Sequence, residues 1–411
     1  MSGVLFVHNN FPAQFADLAR TLLSRGVPCT AIAGAQAPGI EGMPVARWKN
    51  ARGSTPGIMP LATRAEADLI RGRAALEAAR ALKASGYAPD LIIGHPGWGE
   101  TVLLGDAFPD ARRIVFHEFF YAGRGLDIDF DTEFLPATDD MILAGTSKNA
   151  VMALALAQAD VIVSPTPFQA ATLPEVFRAR TRIIHEGVDV NAIRPKPAAP
   201  FQVPGGPLLQ PGTPVITHVN RNLEPVRGLH ILLRALPRLL GEVPDAQVLI
   251  VGGAGGRGYS GAAPDGRAWK DFLLEKAGGG LDLGRVHFTG PLPHATMLAA
   301  LHLSTAHVYY TYPFVLSWSL AEAMASGCYV IGSDTGPLHD AIEDGVNGRL
   351  LPFFDVEALS AAMIAACRDP GASAPLRAAA RETAVARFSR AKGREAWLAL
   401  LRELGVEIPA G

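Results

Sequence analysis

The chain has 411 residues, 37 Lys+Arg against 39 Asp+Glu, a net charge of −2 and 49% apolar residues. That length supports two or three domains with cores of their own. The near-neutral charge argues against a broad nucleic-acid footprint, and three scattered cysteines, Cys29, Cys328 and Cys367, exclude a disulfide scaffold and a thiolate zinc site.

The chain opens Met-Ser-Gly and runs straight into Val4–Val7. No basic region precedes that apolar run, so no secretory leader is read and a cytoplasmic setting is expected. Strands are expected at Val4–His8, Cys29–Ala33, Leu91–Gly94, Arg113–His117, Asp160–Ser164 and Arg182–His185. They are apolar without alternation, as befits parallel strands covered on both faces. Between them, Pro12–Arg25, Ala65–Lys83 and Asp139–Ala157 carry helical patterns; in the first, Phe11, Phe15, Leu18, Leu22 and Leu23 share a face and Gly26 ends it. Periodicity pauses over the Pro- and Gly-rich segment 191–212, read as a linker. Strands resume at Val215–Val219, Val248–Val251, Val286–Thr289, His307–Thr311 and Tyr329–Gly332, and 375–404 reads as helical throughout. From Val286 to Ala321 no charged residue occurs, yet prolines and histidines interrupt the stretch, so it reads as buried core rather than a membrane span.

Two βαβ series joined by a Pro-rich segment predict an α/β protein of two Rossmann-like, doubly wound domains facing a central cleft. The expected boundaries are 1–190 for the first domain, 191–212 for the linker and 213–385 for the second. A last helix is expected over 386–411, with Trp397, Leu400 and Leu401 among its apolar residues.

Candidate chemistry follows the second series. Arg221-Asn-Leu-Glu224-Pro-Val-Arg227-Gly228 lies between a strand and the helix beginning at Gly228. Two guanidiniums at a strand mouth and helix start suit a diphosphate; the alternative is two surface arginines, one paired with Glu224. In Tyr312-Pro-Phe314-Val315-Leu316-Ser317-Trp318-Ser319-Leu-Ala-Glu322, the amides of 317–320 open a helix toward phosphate oxygens, and Glu322 suits a ribose diol. The alternative is a capping box in which Glu322 folds back on Ser319. Gly253-Ala-Gly255-Gly-Arg-Gly258 fits G-x-G-x-x-G, but no helix opens at its last glycine, so a glycine-rich loop is expected. Asp127-Ile-Asp129-Phe-Asp131 contains D-x-D, a weak metal pattern better read as solvated loop acids. His117, at a strand end beside Glu118, suits proton transfer or sugar positioning, or else is a satisfied interior histidine. His8, Asn10 and Pro12 close the first strand and suggest an acceptor surface, with helix capping by Asn10 as the alternative.

The run Glu322-Ala-Met-Ala-Ser-Gly327-Cys-Tyr-Val-Ile-Gly-Ser-Asp-Thr-Gly336-Pro-Leu-His-Asp340, followed by Glu343-Asp-Gly-Val-Asn-Gly348, resembles the C-terminal domain of retaining glycosyltransferases of family 4, which have the GT-B fold. The stretch Arg221-x-x-Glu224-x-x-Arg227-Gly228 resembles that family's R-x-x-E-x-x-K-G segment, with Arg227 for lysine, and Gly187-Val-Asp189 its G-V-D. The segments 6–15 and 312–319 are similar to one bacterial branch that carries PFVLSWS.

The resemblance implies sugar transfer from a nucleotide diphosphate sugar, most commonly UDP-linked, with retention and with neither metal nor other cofactor. It makes 1–190 the acceptor-binding and 213–385 the nucleotide-sugar-binding domain, and has the last helix, 386–411, cross back to the first domain through Trp397, Leu400 and Leu401. It places Arg221, Arg227 and His117 in catalysis and Glu322 and 314–319 on the donor. Glu224 and the loops at Gly253 and at Gly290 and Leu292 line the nucleotide site, and Asn10 and Pro12 the acceptor side. Phe314 stands where the family's E-x7-E pattern has its first Glu, so donor identity does not carry over. The acceptor is expected to be a glycan, lipid-linked or small molecule, and the oligomeric state stays open. A nucleotide-sugar epimerase using His117 and Glu118, or a non-catalytic nucleotide-sugar binder, are the alternatives. Arg377, Arg381, Arg387, Arg390, Lys392 and Arg394 offer either a peripheral contact with the inner face of a membrane or a solvated helix face.

Overall fold

The computed structural model describes residues 3–254 and 258–409 and divides into two compact units. The first comprises 1–129, 137–186 and 390–411, the second 130–136 and 187–389.

The first unit holds a seven-stranded parallel sheet of β1 (Gly3–Val7), β2 (Cys29–Gly34), β3 (Val45–Trp48), β4 (Pro89–Gly94), β5 (Arg112–Phe116), β6 (Val161–Ser164) and β7 (Thr181–Ile183), in the order β3-β2-β1-β4-β5-β6-β7. Its order reverses between β1 and β4, where Val4 pairs with Cys29 on one side and Leu91 on the other. Both faces are packed. Val4 and Phe6 join a core with Phe15, Leu18, Leu22 and Phe116, while Leu5 and Val7 join Ile32, Leu76, Ile92 and Leu104 on the opposite side. Burial on both faces explains the unbroken apolar runs.

The helix 390–403 completes the first core. Trp397, Leu398, Leu400 and Leu401 are buried in it, and Trp397 stacks on Phe116 with centroids 6.4 Å apart. The tail is two helices, Ala374–Arg387 and Arg390–Glu403, rather than the single run read from the sequence. The break falls where the chain passes between units and Phe388 O accepts the Val188 N–H at 2.8 Å. Arg377 and Arg381 are not a free basic face. Arg377 donates to the carbonyls of Ser304 and Thr305, and Arg381 to those of Val190, Ile193 and Ala325. The helix expected over 139–157 is likewise divided, at Lys148–Asn149. The Asn149 amide is used to satisfy both the N–H and the carbonyl of Tyr121.

The second unit opens with a short antiparallel ladder, β8 (Phe201–Gln202) with β9 (Leu208–Leu209). Segment 191–212 is therefore not an open linker. Phe201, Val203 and Leu209 are buried against Val215 and Leu249, because apolar residues between the prolines find a core to join. A six-stranded parallel sheet follows: β10 (Val215–Asn222), β11 (Gln247–Gly253), β12 (Val286–Gly290), β13 (Ala306–Tyr309), β14 (Val330–Ser333) and β15 (Arg349–Leu351), in the order β12-β11-β10-β13-β14-β15. Here the order reverses between β10 and β13. Among the described residues no helix is long and apolar enough to cross a membrane; the charge-free stretch supplies β12, the helix 294–303 and β13.

Several buried imidazoles are held neutral. Burial pulls His117 and His307 down to about 3 and His218 to about 4, and all three are fully buried. Each binds a proton more readily when unfolded, so each contributes stability above its unfolded pKa near 6.5 that is lost as pH falls toward the folded value. Urea denaturation is expected to show stability falling between pH 6.5 and 4 by on the order of 1 kcal/mol per pH unit per histidine. His307→Gln should make that slope shallower, and an unchanged slope would show that His307 does not contribute.

Candidate functional site

Open parallel sheets bind ligands beyond the carboxyl ends of their strands, where the strand order reverses. In the second unit that point is the crevice between β10 and β13. Arg221 is the penultimate residue of β10 and is exposed. Arg227 follows in the turn before the helix 229–242 and reaches across the crevice. Its Nη1 donates to Thr311 Oγ1 at 2.9 Å and to Val315 O at 3.1 Å, and its guanidinium carbon lies 5.6 Å from the centre of the Phe314 ring. Thr311 is itself fixed. Its N–H donates to Ser333 Oγ, and its carbonyl accepts from Ser333 and Thr335.

The turn requires glycine at 228. Its φ is +69°, and a Cβ there would sit 2.3 Å from the Tyr310 Cβ. A left-handed residue with no side chain brings the helix start and the end of β13 into contact, and so puts Arg227 within reach of Thr311.

Glu224 pairs with neither arginine. It is 5% exposed and accepts the Ser260 N–H at 2.7 Å, which anchors the glycine-rich loop. Gly253 ends β11; residues 255–257 of the G-x-G-x-x-G pattern lie outside the described residues. Beyond them the Tyr259 ring lies against that of Phe314, tilted by 31°, with centroids 4.0 Å apart. Phe314 and Leu316 are buried and Val315 half-buried.

The helix after this loop spans Trp318–Ala325 and is capped by Ser317, whose Oγ accepts the Ser319 N–H at 3.3 Å. This corrects the reading of open amides and also its alternative, the capping box. The amides of 317, 319 and 320 do not stand open for phosphate, since they donate to Tyr309 Oη, Ser317 Oγ and Ser317 O. Nor does Glu322 fold back on Ser319, because Ser317 has taken the capping role. Glu322 instead meets His294 Nε2 at 2.7 Å, with the carboxylate side chain 15% exposed. Trp318 is exposed. Gly290 ends β12 with φ +70°, and Leu292 packs against both neighbouring cores rather than extending outward.

Asn10, Pro12 and His117 belong to the first unit. His8, His95 and His117 follow β1, β4 and β5, so the first unit's own reversal point is lined with imidazoles. His8 and His95 lie with ring centroids 5.3 Å apart. Asn10 caps no helix; its N–H donates to His8 Nδ1 at 2.9 Å. Pro12 is half-buried, next to a cis peptide bond with Phe11. Neither ring nitrogen of His117 has a hydrogen-bond partner, and burial, reinforced by His95, keeps it neutral. Glu118 accepts from Gln14 Nε2 at 2.6 Å and lies 3.3 Å from His95 Nε2. These contacts outweigh burial and hold its carboxyl down at about 2. His95, Tyr259 and His294 were not singled out in the sequence. Only their places after strand ends or on the glycine-rich loop mark them there.

Two parallel sheets, each with polar side chains gathered where its strand order reverses, define the GT-B class of two Rossmann-like domains. Residues 25–193 match the family model described as glycosyl transferase family 4 group, and residues 213–369 that described as glycosyl transferases group 1. The chain belongs to the family 4, group 1 glycosyltransferases.

Among curated relatives, a phosphatidyl-myo-inositol mannosyltransferase of Mycolicibacterium smegmatis is 35% identical over 159 residues, 38% of this chain and 36% of the relative. A D-inositol 3-phosphate glycosyltransferase of Mycobacterium marinum is 29% identical over 258 residues, 62% and 52% respectively. The chain thus spans between about a third and a half of these relatives' length. Among solved structures, sucrose-phosphate synthase from Thermosynechococcus elongatus superposes with TM-score 0.73 at 19% identity, covering 98% of this chain and 99% of its own. Anabaena HepE in complex with UDP and glucose gives 0.65 at 16%, covering 98% and 100%.

Proposed function

We propose that this chain transfers a sugar from a nucleoside diphosphate sugar, with UDP as the expected nucleotide, to a hydroxyl of a glycan, lipid-linked or small-molecule acceptor, with retention at the anomeric carbon. The observation that carries this reading is Arg227, locked across the β10/β13 crevice by Thr311 and Val315, with the exposed Arg221 at the end of β10. Bond cleavage at the anomeric carbon leaves negative charge on the departing diphosphate. A guanidinium already oriented by protein acceptors meets that charge without reorganising. Arg221 adds a second planar donor set.

Glu322 is the proposed partner of the ribose hydroxyls, with His294 fixing the carboxylate's direction. Phe314 cannot accept a hydrogen bond, so backbone groups and other side chains take up the sugar hydroxyls. Complexes of HepE with UDP, and relatives named for transfer to inositol compounds, support a nucleotide-sugar donor and a polyol-type acceptor.

The test is a thermal-shift panel of UDP-, GDP- and ADP-sugars, because a ligand of the native form raises its melting temperature, followed by isotope-labelled donor. Labelled sugar appearing on an acceptor, or slowly as free sugar, supports transfer. Isomerised donor would replace this reading with epimerisation, and binding without turnover with a carrier role. Glu322→Ala is expected to weaken UDP binding by about 10–100-fold, the worth of hydrogen bonds to a charged group. His294→Ala should weaken it by about threefold, since it removes an orienting contact and not the acceptor. Equal losses from both would show by calorimetry that Glu322 does not touch the ribose.

A further inference from the structure

The segment Phe130–Pro136 interrupts the first unit and is folded into the second. Aromatic contacts seat both of its ends. Phe130 packs on Tyr312, Phe353 and Phe354 with centroids 5.1, 5.1 and 5.4 Å away. Phe134 meets His230 at 5.5 Å and Phe272 at 5.7 Å, both edge-on. Between these anchors lies Asp131, the last carboxylate of the D-x-D run, whose side chain is buried and which is not the solvated loop acid expected from the sequence. Its Oδ2 accepts the Tyr312 hydroxyl at 2.7 Å and lies 2.9 Å from His230 Nε2. The Asp131 and His230 side chains are only 4% and 2% exposed.

The two partners stand on opposite sides of the crevice that holds Arg227. His230 is the second residue of the helix that opens at Gly228. Tyr312 follows Thr311, the acceptor of the Arg227 guanidinium, and its N–H donates to Val226 O at 3.0 Å. A single buried carboxylate therefore touches one residue on each side.

We propose that Asp131 is a positioning residue that ties the helix after β10 to the segment after β13, and so sets the geometry in which Arg227 meets an anion. It acts through Tyr312 and His230. The link to a nucleoside diphosphate rests on the function proposed above; the tie itself does not. Asp131, Glu133 and His230 also bring possible ligand atoms within 4.8 Å of one another. A cation is nevertheless the weaker reading. Both Glu133 oxygens are engaged by the Arg234 guanidinium, which puts a fixed positive charge beside the place an ion would take.

The experiment compares Tyr312→Phe, Asp131→Asn and Asp131→Ala with the unaltered chain. Amide hydrogen exchange is followed at 225–232 and 311–317, with urea melts and calorimetric titration of UDP, GDP and ADP alongside. Tyr312→Phe removes one hydroxyl and keeps the ring packing. It should speed exchange at 311–317 by about tenfold or more, as expected when a hydrogen bond to a charged acceptor is lost, while the urea midpoint moves little. Diphosphate affinity should fall by a similar factor. Asp131→Asn keeps an acceptor and should retain most of the protection and affinity, whereas Asp131→Ala should lose both. Adding Tyr312→Phe to Asp131→Ala should then bring no further loss, because both act through one contact.

Unchanged exchange at 311–317 in Tyr312→Phe and Asp131→Ala would overturn the tie. So would a zinc-induced rise in melting temperature that Asp131→Ala abolishes, since that would make the trio a metal site. If exchange accelerates as expected but the unaltered chain binds none of the three nucleotides, the tie stands and the nucleotide-sugar reading fails.

Discussion

Arg227→Ala is expected to lower turnover of the nucleotide sugar by about a thousandfold, the upper range for loss of one preorganised transition-state donor. The reason is geometric. Arg227 already donates to Thr311 Oγ1 and Val315 O before any ligand arrives, so its truncation removes a charge and also leaves two acceptors unpaired. Arg221 has no comparable anchorage and stands exposed, and Arg221→Ala is expected to cost about a hundredfold. Arg227→Lys separates charge from geometry. An ammonium keeps the charge but cannot fork between a hydroxyl, a carbonyl and a phosphate oxygen as a guanidinium does. It should recover part of the rate and little of the specificity. Steady-state kinetics with labelled donor is the measurement, and an Arg227→Ala protein that turns over at the original rate would remove the guanidinium from the mechanism.

Gly228→Ala should strongly destabilise the second unit. The left-handed backbone at +69° costs an L-residue about 1–2 kcal/mol. The new Cβ would also lie 2.3 Å from the Tyr310 Cβ, and a fully buried tyrosine at the end of β13 has little room to retreat. Overpacking of this kind adds about 1–3 kcal/mol, for a combined loss of about 2–5 kcal/mol in urea denaturation. Gly290→Ala is the control. Its φ is +70° but no heavy atom lies within 4 Å of its Cβ position, so only the backbone cost of about 1–2 kcal/mol should appear. Similar losses at both positions would mean that the close approach to Tyr310 contributes nothing.

The parallel sheets were legible in the sequence because strands covered on both faces have no polar residues to interrupt them. Val45–Trp48 and Arg349–Leu351 were not, since three or four residues containing an arginine carry neither run nor period. The same limit applies at the site. The R-x-x-E-x-x-R-G spacing places both arginines near the end of β10, but it cannot show that Arg227 turns to Thr311, 84 positions on, while Glu224 turns to Ser260. A serine two positions before Ser319 was enough to move the helix cap, which leaves Glu322 for His294. Local spacing defines which groups start near a strand end, and contacts distant along the chain decide which of them point at one another. Asp131 shows this most clearly, because its partner Tyr312 lies 181 residues away and no local pattern connects them.

The stacking of Trp397 on Phe116 has a consequence for synthesis. The wall that closes the first sheet is translated more than 200 residues after β7, once the whole second sheet has been translated. At about 5–20 residues per second, a nascent chain waits roughly 10–45 s with Phe116 and its apolar neighbours uncovered. Ribosome-associated chaperones should therefore hold this chain through most of its translation, and release should follow emergence of the 390–403 helix.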